Sequence, residues 1–290
     1  MKDNNILFSK DIDQKFSGNS GCKLIIFSQD GYKVRKISTT KKISERLKDQ
    51  YQKIINFKKV QNITVPRIYK QGMIKKKFYY DMEYFNSVNF SELILKNNYE
   101  DSHKSLIKIF KYLTFCKKKS LSKFYSKNIF ERKILELEKN ILIKNKSFFK
   151  IFDLLKKFNW ENIPRGISHG DLTMENILIN KNRLIFIDMS SNYINSYYLD
   201  LSKLLFDFIC YWSFRFNTQA KNNIELNTLK NRYISFLLEN FDKMELKNIK
   251  MLTLIDFLRV INYSKKKKHL TLLIHKLNKL YDNFDNPLLW

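Results

Sequence analysis

Four polar residues in one short segment could do chemistry together. In "ISHGDLTMENILINKNRLIFIDMS", Ile167 to Ser190, the chain sets His169, Asp171, Asn176 and Asp188 among short apolar runs. Asp171 precedes Asn176 by five positions, on a loop leading into the strand "NILI". A second strand, "RLIFID", follows the turn "NKN" and ends at Asp188. Such a hairpin folds Asp188 back beside Asn176. Singly, Asp and Asn next to short strands are ordinary turn residues. Together they bring one carboxylate and one amide oxygen to one place. Both are hard oxygen donors suited to Mg²⁺, which keeps waters and substrate phosphates as its other ligands. Asp171, just upstream, stands where an acid could accept a hydroxyl proton. A base-like acid, two metal ligands and little covalent chemistry are what phosphoryl transfer requires.

The elements that must position these residues are legible around them. "KLIIF" and "GYKVRKIS" read as strands joined at Asp30-Gly31, a hairpin turn signal, with "SGNSG" before them. From Lys42 to Val60 the pattern turns helical, with Leu47, Ile54, Ile55 and Phe57 as an apolar stripe. "VPRIYKQG" and "KKKFYYDMEYF" read as two more strands, with a turn around Gly72 to Lys76. After Asn86 the pattern is mostly helical, broken by "NIPRGISHGD" and the small hairpin, and helical again from Leu199. Strands clustered early and helices later predict an α+β chain of two lobes, 1–85 and 86–290.

Composition sets the bounds. The 290 residues include 24 Phe and 16 Tyr but only 6 Gly and 3 Pro, which favours long helices over elaborate loops. The net charge of +26 would ordinarily suggest an anionic partner. It is spread along a Lys-, Asn- and Ile-rich chain with Ala220 as its one alanine, so it reads as solvated surface, and no nucleic acid is expected. Cys22, Cys116 and Cys210 are too few for a disulfide framework and fit a reducing cytoplasmic location. The N-terminus lacks a signal-peptide core. The longest apolar stretch, "YYLDLSKLLFDFICYWSF", carries Asp200, Lys203 and Asp207, which a membrane span would avoid. "SKKKKHLTLLIHKL" has a basic face that could associate weakly with anionic lipid, although a solvated helix is the simpler reading.

"HGDLTMENIL" followed by "FID" resembles the catalytic segment of the aminoglycoside phosphotransferase and choline kinase superfamily, small-molecule relatives of protein kinases. The resemblance implies ATP and Mg²⁺ as cofactors and a small-molecule hydroxyl as acceptor. It implies Asp171 as the catalytic acid, Asn176 and Asp188 as metal ligands, and His169 as a residue bracing the loop. Thr173 stands where many relatives carry His or another polar residue, and Ser190 departs from the glycine of D-F-G. Asp200, in "YLDLSKLL", resembles the acid that starts a helix and ties the catalytic loop down, and an N-cap role would suit it.

The same resemblance makes demands on the first 90 residues. Alternation along "YKVRKIS" puts Tyr32, Val34 and Lys36 on one face and Lys33, Arg35 and Ile37 on the other. Lys36 then matches the lysine that pairs with the α- and β-phosphates. Gly18, Ser20 and Gly21 resemble the turn that covers the phosphates. Glu83 and Tyr84, within Met82 to Phe85, resemble the hinge that meets adenine. The helix acid of the family is missing: Gln50 occupies its position, and either Gln50 bonds Lys36 or Glu45 or Asp49 takes over.

The resemblance therefore implies a two-lobed protein-kinase-like fold, a small antiparallel β lobe with one helix and a larger helical lobe carrying a catalytic hairpin. "SGCK", "VRKIS", "RLKDQ" and "FYYDMEYF" are similar to small-molecule kinases of capsule and lipopolysaccharide gene clusters, which implies a sugar, polyol or other surface-glycan precursor as acceptor. Choline, ethanolamine and aminoglycoside kinases are the alternatives within the superfamily. An aminoglycoside kinase would need an acidic pocket, to which Asp207, Asp242, Glu245 and Asp256 could contribute. A nucleotide-binding pseudokinase and a basic surface-binding module are the alternatives of another class. The sequence leaves the oligomeric state open.

Overall fold

The computed structural model describes residues 6–7, 21–28, 32–58, 60–141, 146–190, 192–217, 220–264, 266–284 and 286. The chain divides into two compact units. The first comprises Met1–Val88 and Leu178–Ser191, and the second comprises Asn89–Ile177 and Asn192–Trp290. The hairpin after Asn176 thus groups with the early strands and not with the rest of 86–290.

In the first unit, β1 (Ile6–Leu7), β2 (Cys22–Ser28), β3 (Tyr32–Ser38), β5 (Ile68–Ile74) and β6 (Lys77–Glu83) form one antiparallel sheet in the order β1-β2-β3-β6-β5. The Asp30-Gly31 turn lies outside the described residues. Helix α1 (Lys41–Ile55) starts at Thr40, whose hydroxyl accepts from the Ile43 amide. Ser44 fixes this helix to the sheet: its Oγ lies 2.6 Å from Ser38 Oγ and accepts from the Phe78 amide. Leu47 and Ile54 enter the core with Ile26, Val34, Phe78, Tyr80, Met82 and Met189. Ile55, expected in that stripe, is exposed on the last turn. Gly72 is not in the turn either. It sits inside β5 opposite Tyr79, where a Cβ would come within 2.9 Å of the tyrosine ring. The turn is made by Lys75 and Lys76, both in the left-handed region. A smaller sheet pairs β4 (Ile63–Thr64) in parallel with β9 (Arg183–Phe186), next to β8 (Ile177–Asn180). Strand β7 (Val88–Asn89) closes the early segment.

The second unit is helical: α2 (Phe90–Leu95), α3 (Tyr99–Lys118), α4 (Lys127–Asn140), α5 (Lys146–Lys157), α6 (Tyr197–Cys210), α7 (Ile224–Asn240), α8 (Lys243–Tyr263) and α9 (Lys267–Asp282). Every residue of α6 is buried, which accounts for its run of apolar side chains on all faces. It packs against α8, itself buried over most of its length. Among the described residues no helix is long and apolar enough to cross a membrane.

Candidate active site

In the first unit, alternation along β3 turns Val34, Lys36 and Ser38 inward. Lys36 is 1% exposed, and its Nζ donates to Gln50 Oε1 at 3.0 Å and to Asp188 Oδ1 at 2.6 Å. Burial by itself would push the ammonium toward its neutral form. The Asp188 carboxylate, with smaller contributions from Tyr80 and Cys22, offsets that and raises the lysine above its ordinary range. The helix partner of Lys36 is therefore Gln50, while Glu45 pairs with Lys48 on the exposed face and Asp49 is exposed. Asp188 has φ +57°, a left-handed conformation uncommon for residues other than glycine. Two neighbours hold it there: Met189 is in the core, and Lys53 Nζ donates to the Ser190 carbonyl at 2.7 Å.

Gly21 opens β2 with φ +67°, and a Cβ there would lie 2.9 Å from the Ile43 side chain. Gly18 and Ser20 lie outside the described residues. Glu83 ends β6 with its amide donating to the Arg67 carbonyl and its carboxylate accepting from the Arg67 amide. The Tyr84 ring packs edge-on to Tyr32 beside the core.

In the second unit, the segment from His169 to Asn176 is tied down by two buried acids of α6. Asp200 accepts from the amides of His169 at 2.6 Å and Gly170 at 2.7 Å, and from the Tyr112 hydroxyl. Asp207, seven residues on and so on the same helix face, accepts from the Met174 amide at 2.7 Å and from Ser213. Burial shifts the Asp207 carboxyl upward against these bonds. Asp200 is not the N-cap. Ser196 caps α6, leaving the Asp200 carboxylate for the loop. His169 is fully buried, and its Nδ1 accepts from the Asp171 amide at 3.2 Å.

The Asp171 side chain is 30% exposed, with Oδ1 3.4 Å from Lys203 Nζ and 3.5 Å from Arg259 Nη2. Lys203, 1% exposed, also meets Asp256 Oδ1 at 2.7 Å, and Asp256 accepts from the Ser202 hydroxyl at 2.9 Å. Burial pushes the Asp256 carboxyl well up. Next along the loop, Glu175 pairs with Arg215 at 2.7 Å, and burial pushes its carboxyl up to about 7. Sequence reasoning missed Lys203, Arg259, Arg215 and Glu175. The signal available was charge inside apolar helical runs, as in "DLSKLL" and "LIDFLRV".

The candidate metal donors suit Mg²⁺ in kind. Asn176 Nδ2 donates to the Asp171 carbonyl at 2.8 Å, so the amide oxygen Oδ1 is the atom it could offer a cation. Asp188 commits Oδ1 to Lys36 and keeps Oδ2 on a side chain 37% exposed. Among the described residues no group of three or more His, Cys, Asp or Glu side chains could hold a metal. Mg²⁺ does not need one, since it binds through one or two carboxylates and takes phosphate and water oxygens for the rest.

No protein-family description and no curated protein matches this sequence. Solved structures do. An amicoumacin kinase in complex with AMP-PNP, Ca²⁺ and Ami superposes with a TM-score of 0.59 at 14% identity, over 99% of this chain and 90% of its own. A GDP complex of an aminoglycoside 2′-phosphotransferase gives 0.57 at 11%, over 91% and 90%. A type VIII aminoglycoside 3′-phosphotransferase gives 0.52 at 13%, over 81% and 93%. At such identities the likeness is one of backbone, and it extends over nearly the whole chain. The chain has the protein-kinase-like fold of the small-molecule phosphotransferases.

Proposed function

We propose that the chain is an ATP- and Mg²⁺-dependent kinase that phosphorylates a hydroxyl of a small molecule, of the sugar, polyol or surface-glycan precursor class. The observation that carries this is Lys36, a fully buried ammonium whose charged partner, Asp188, is also the expected metal ligand. Burying a lysine is costly unless an anion is at hand, and phosphates are such anions. Asn176 and Asp188 would hold the cation, which when bound neutralises charge on the transferring phosphoryl group. Asp171 orients the acceptor hydroxyl. The hydroxyl oxygen bonds to the γ-phosphorus as the bond to ADP breaks, and its proton passes to Asp171. Residues 1–85 serve the nucleotide and 86–290 supply the catalytic loop, the metal ligands and the helices that meet the acceptor, with Gly18, Ser20 and Gly21 covering the phosphates and Glu83 and Tyr84 meeting the adenine. Cys22, Cys116 and Cys210 are reduced thiols, which suits the cytoplasm.

The test is Mg·ATP binding by thermal shift, followed by acceptor-dependent ADP formation, in wild type and Asp188→Ala. A folded Asp188→Ala protein should lose turnover by at least two decades. A rate near that of wild type would remove Asp188 from the reaction. Gln50, an amide where related kinases have an acid, favours a second reading as a nucleotide-binding pseudokinase. Nucleotide binding without ADP formation on any acceptor would select that reading.

A further inference from the structure

Arg259 has an unusually under-satisfied guanidinium for its surroundings. It projects from α8 with a side chain 26% exposed, and its Nη2 makes only long contacts, 3.5 Å to Asp171 Oδ1 and 4.0 Å to Asp256 Oδ1. Its Nε is enclosed and has no acceptor among the described residues. Arg215 differs: its Nη1 lies 2.7 Å from Glu175 and 2.8 Å from the Trp212 carbonyl. Arg35 also differs, gripping Asp81 through two bonds of 2.7 and 3.0 Å. A guanidinium offers five donors in a fixed fork that matches a carboxylate or a phosphate.

The acids near Arg259 are already committed. Asp256 serves Lys203 and Ser202, and Asp171 is shared with Lys203. The Tyr193 hydroxyl, close enough to both Asp256 and Arg259 to feel their charges, is likewise buried without a partner. The acids that could have formed a wall for a polycation are engaged as well. Asp207 holds the loop, Asp242 and Glu245 form a capping box, and Glu245 also pairs with Lys117. Beside the expected base there is thus a cation short of acceptors and no uncommitted acid among these candidates.

We propose that the acceptor carries an anionic group, a carboxylate or a phosphate, next to the hydroxyl to be phosphorylated, and that Arg259 seats this group. The proposal rests on the kinase reading and narrows its substrate class to hydroxy acids and sugar phosphates. The anion takes the Nη2 donors of Arg259, whose contacts are long, and so places the neighbouring hydroxyl against Asp171. Amino sugars and other cationic acceptors are repelled at the same spot.

The test is calorimetric binding to the 290-residue chain, saturated with Mg²⁺ and AMP-PNP, of matched acceptor sets. Each set contains a hydroxy acid, a sugar phosphate, the neutral parent polyol and the amino analogue, with three to eight carbons. The expected result is that the tightest ligand is anionic. Arg259→Gln should cost the anionic members at least tenfold more affinity than the neutral ones, and Arg259→Lys should recover part of that loss. A neutral or cationic tightest ligand would overturn the proposal. So would equal losses across charge classes, or no anionic member binding at about 10 mM. Failure of the kinase reading looks different: AMP-PNP itself would not bind. If the nucleotide binds and anion selectivity is absent, only the present inference falls.

Discussion

Lys36 in the first unit and Lys203 in the second are both 1% exposed, and the two are held in opposite ways. Lys36 sits between an amide, Gln50, and a carboxylate, Asp188, whose side chain is more than a third exposed. Lys203 sits against Asp256, 2% exposed and fixed by Ser202, and reaches Asp171 only at 3.4 Å. The first lysine has a partner that an incoming anion can replace. The second has a partner that nothing from solvent can reach. A buried charge with an exchangeable partner is a binding device, and one with a sealed partner is scaffolding. On the proposed function, Lys203 is the residue that fixes Asp171 in place and Lys36 the one that would meet phosphate.

The largest expected effect concerns the acid that Lys203 steadies. Asp171→Asn keeps the shape and removes the charge, so turnover should fall by roughly two to four decades while Mg·ATP binding stays within a few-fold. If this variant keeps its rate and His169→Ala is inactive, the base is the histidine. Next, the two lysines should fail differently. Lys203→Met strands Asp256 and should cost about 3–5 kcal/mol of stability in denaturant unfolding. Lys36→Met leaves a solvated Asp188, so it should cost much less stability and lower kcat/KM for ATP by at least two decades. Lys33→Ala, on the opposite face of β3, should do little to either. Similar stability losses for the two methionine variants would erase the distinction drawn here.

Smaller effects sharpen the comparison. Gln50→Ala removes one bond to a charged group and should lower kcat/KM for ATP about tenfold, whereas Gln50→Glu should retain activity. Equal loss in both would mean that the amide itself is required. The smallest effect is a pH dependence at Glu175, whose carboxyl is raised to about 7 in the fold. An acid so raised binds its proton more readily folded than unfolded. Its contribution is therefore present at low pH and is lost as pH rises through 7. A third of its side chain is exposed, so water screens part of the shift. Glu175→Gln should flatten the fall in Tm between pH 5 and 8 by a few degrees. An unchanged slope would place the titration elsewhere.

Legibility in the sequence followed the range of the interactions. Strand alternation is local, so the inward face of β3 with Lys36 could be read directly from "YKVRKIS". The hairpin after Asn176 was equally local. Gly72 misled because a glycine reads as a turn, while its place in β5 is set by the Tyr79 ring on the neighbouring strand. Asp200 misled for a related reason. An acid near a helix start suggests a cap, but Ser196 takes that role and the carboxylate serves a loop 30 residues away. Arg259 was illegible altogether, since its meaning depends on Asp171, 88 residues earlier in the chain. No local pattern records such a pairing.

The amide at Gln50 has a consequence for the order in which ligands enter. With an acid in that position, Lys36 would keep a counter-ion whatever happened to Asp188. Here, a divalent ion arriving alone on Asp188 Oδ2 would compete for the charge of the one carboxylate that Lys36 relies on, its other partner being a neutral oxygen, and a buried ammonium with a weakened counter-ion is disfavoured by its desolvation. A nucleotide brings the replacement charge with it. On the proposed reading, metal and nucleotide affinities are therefore thermodynamically coupled through one side chain, each tightening the other by the same factor. Mg²⁺ titrated alone should bind weakly, and it should bind tightly once ATP is present.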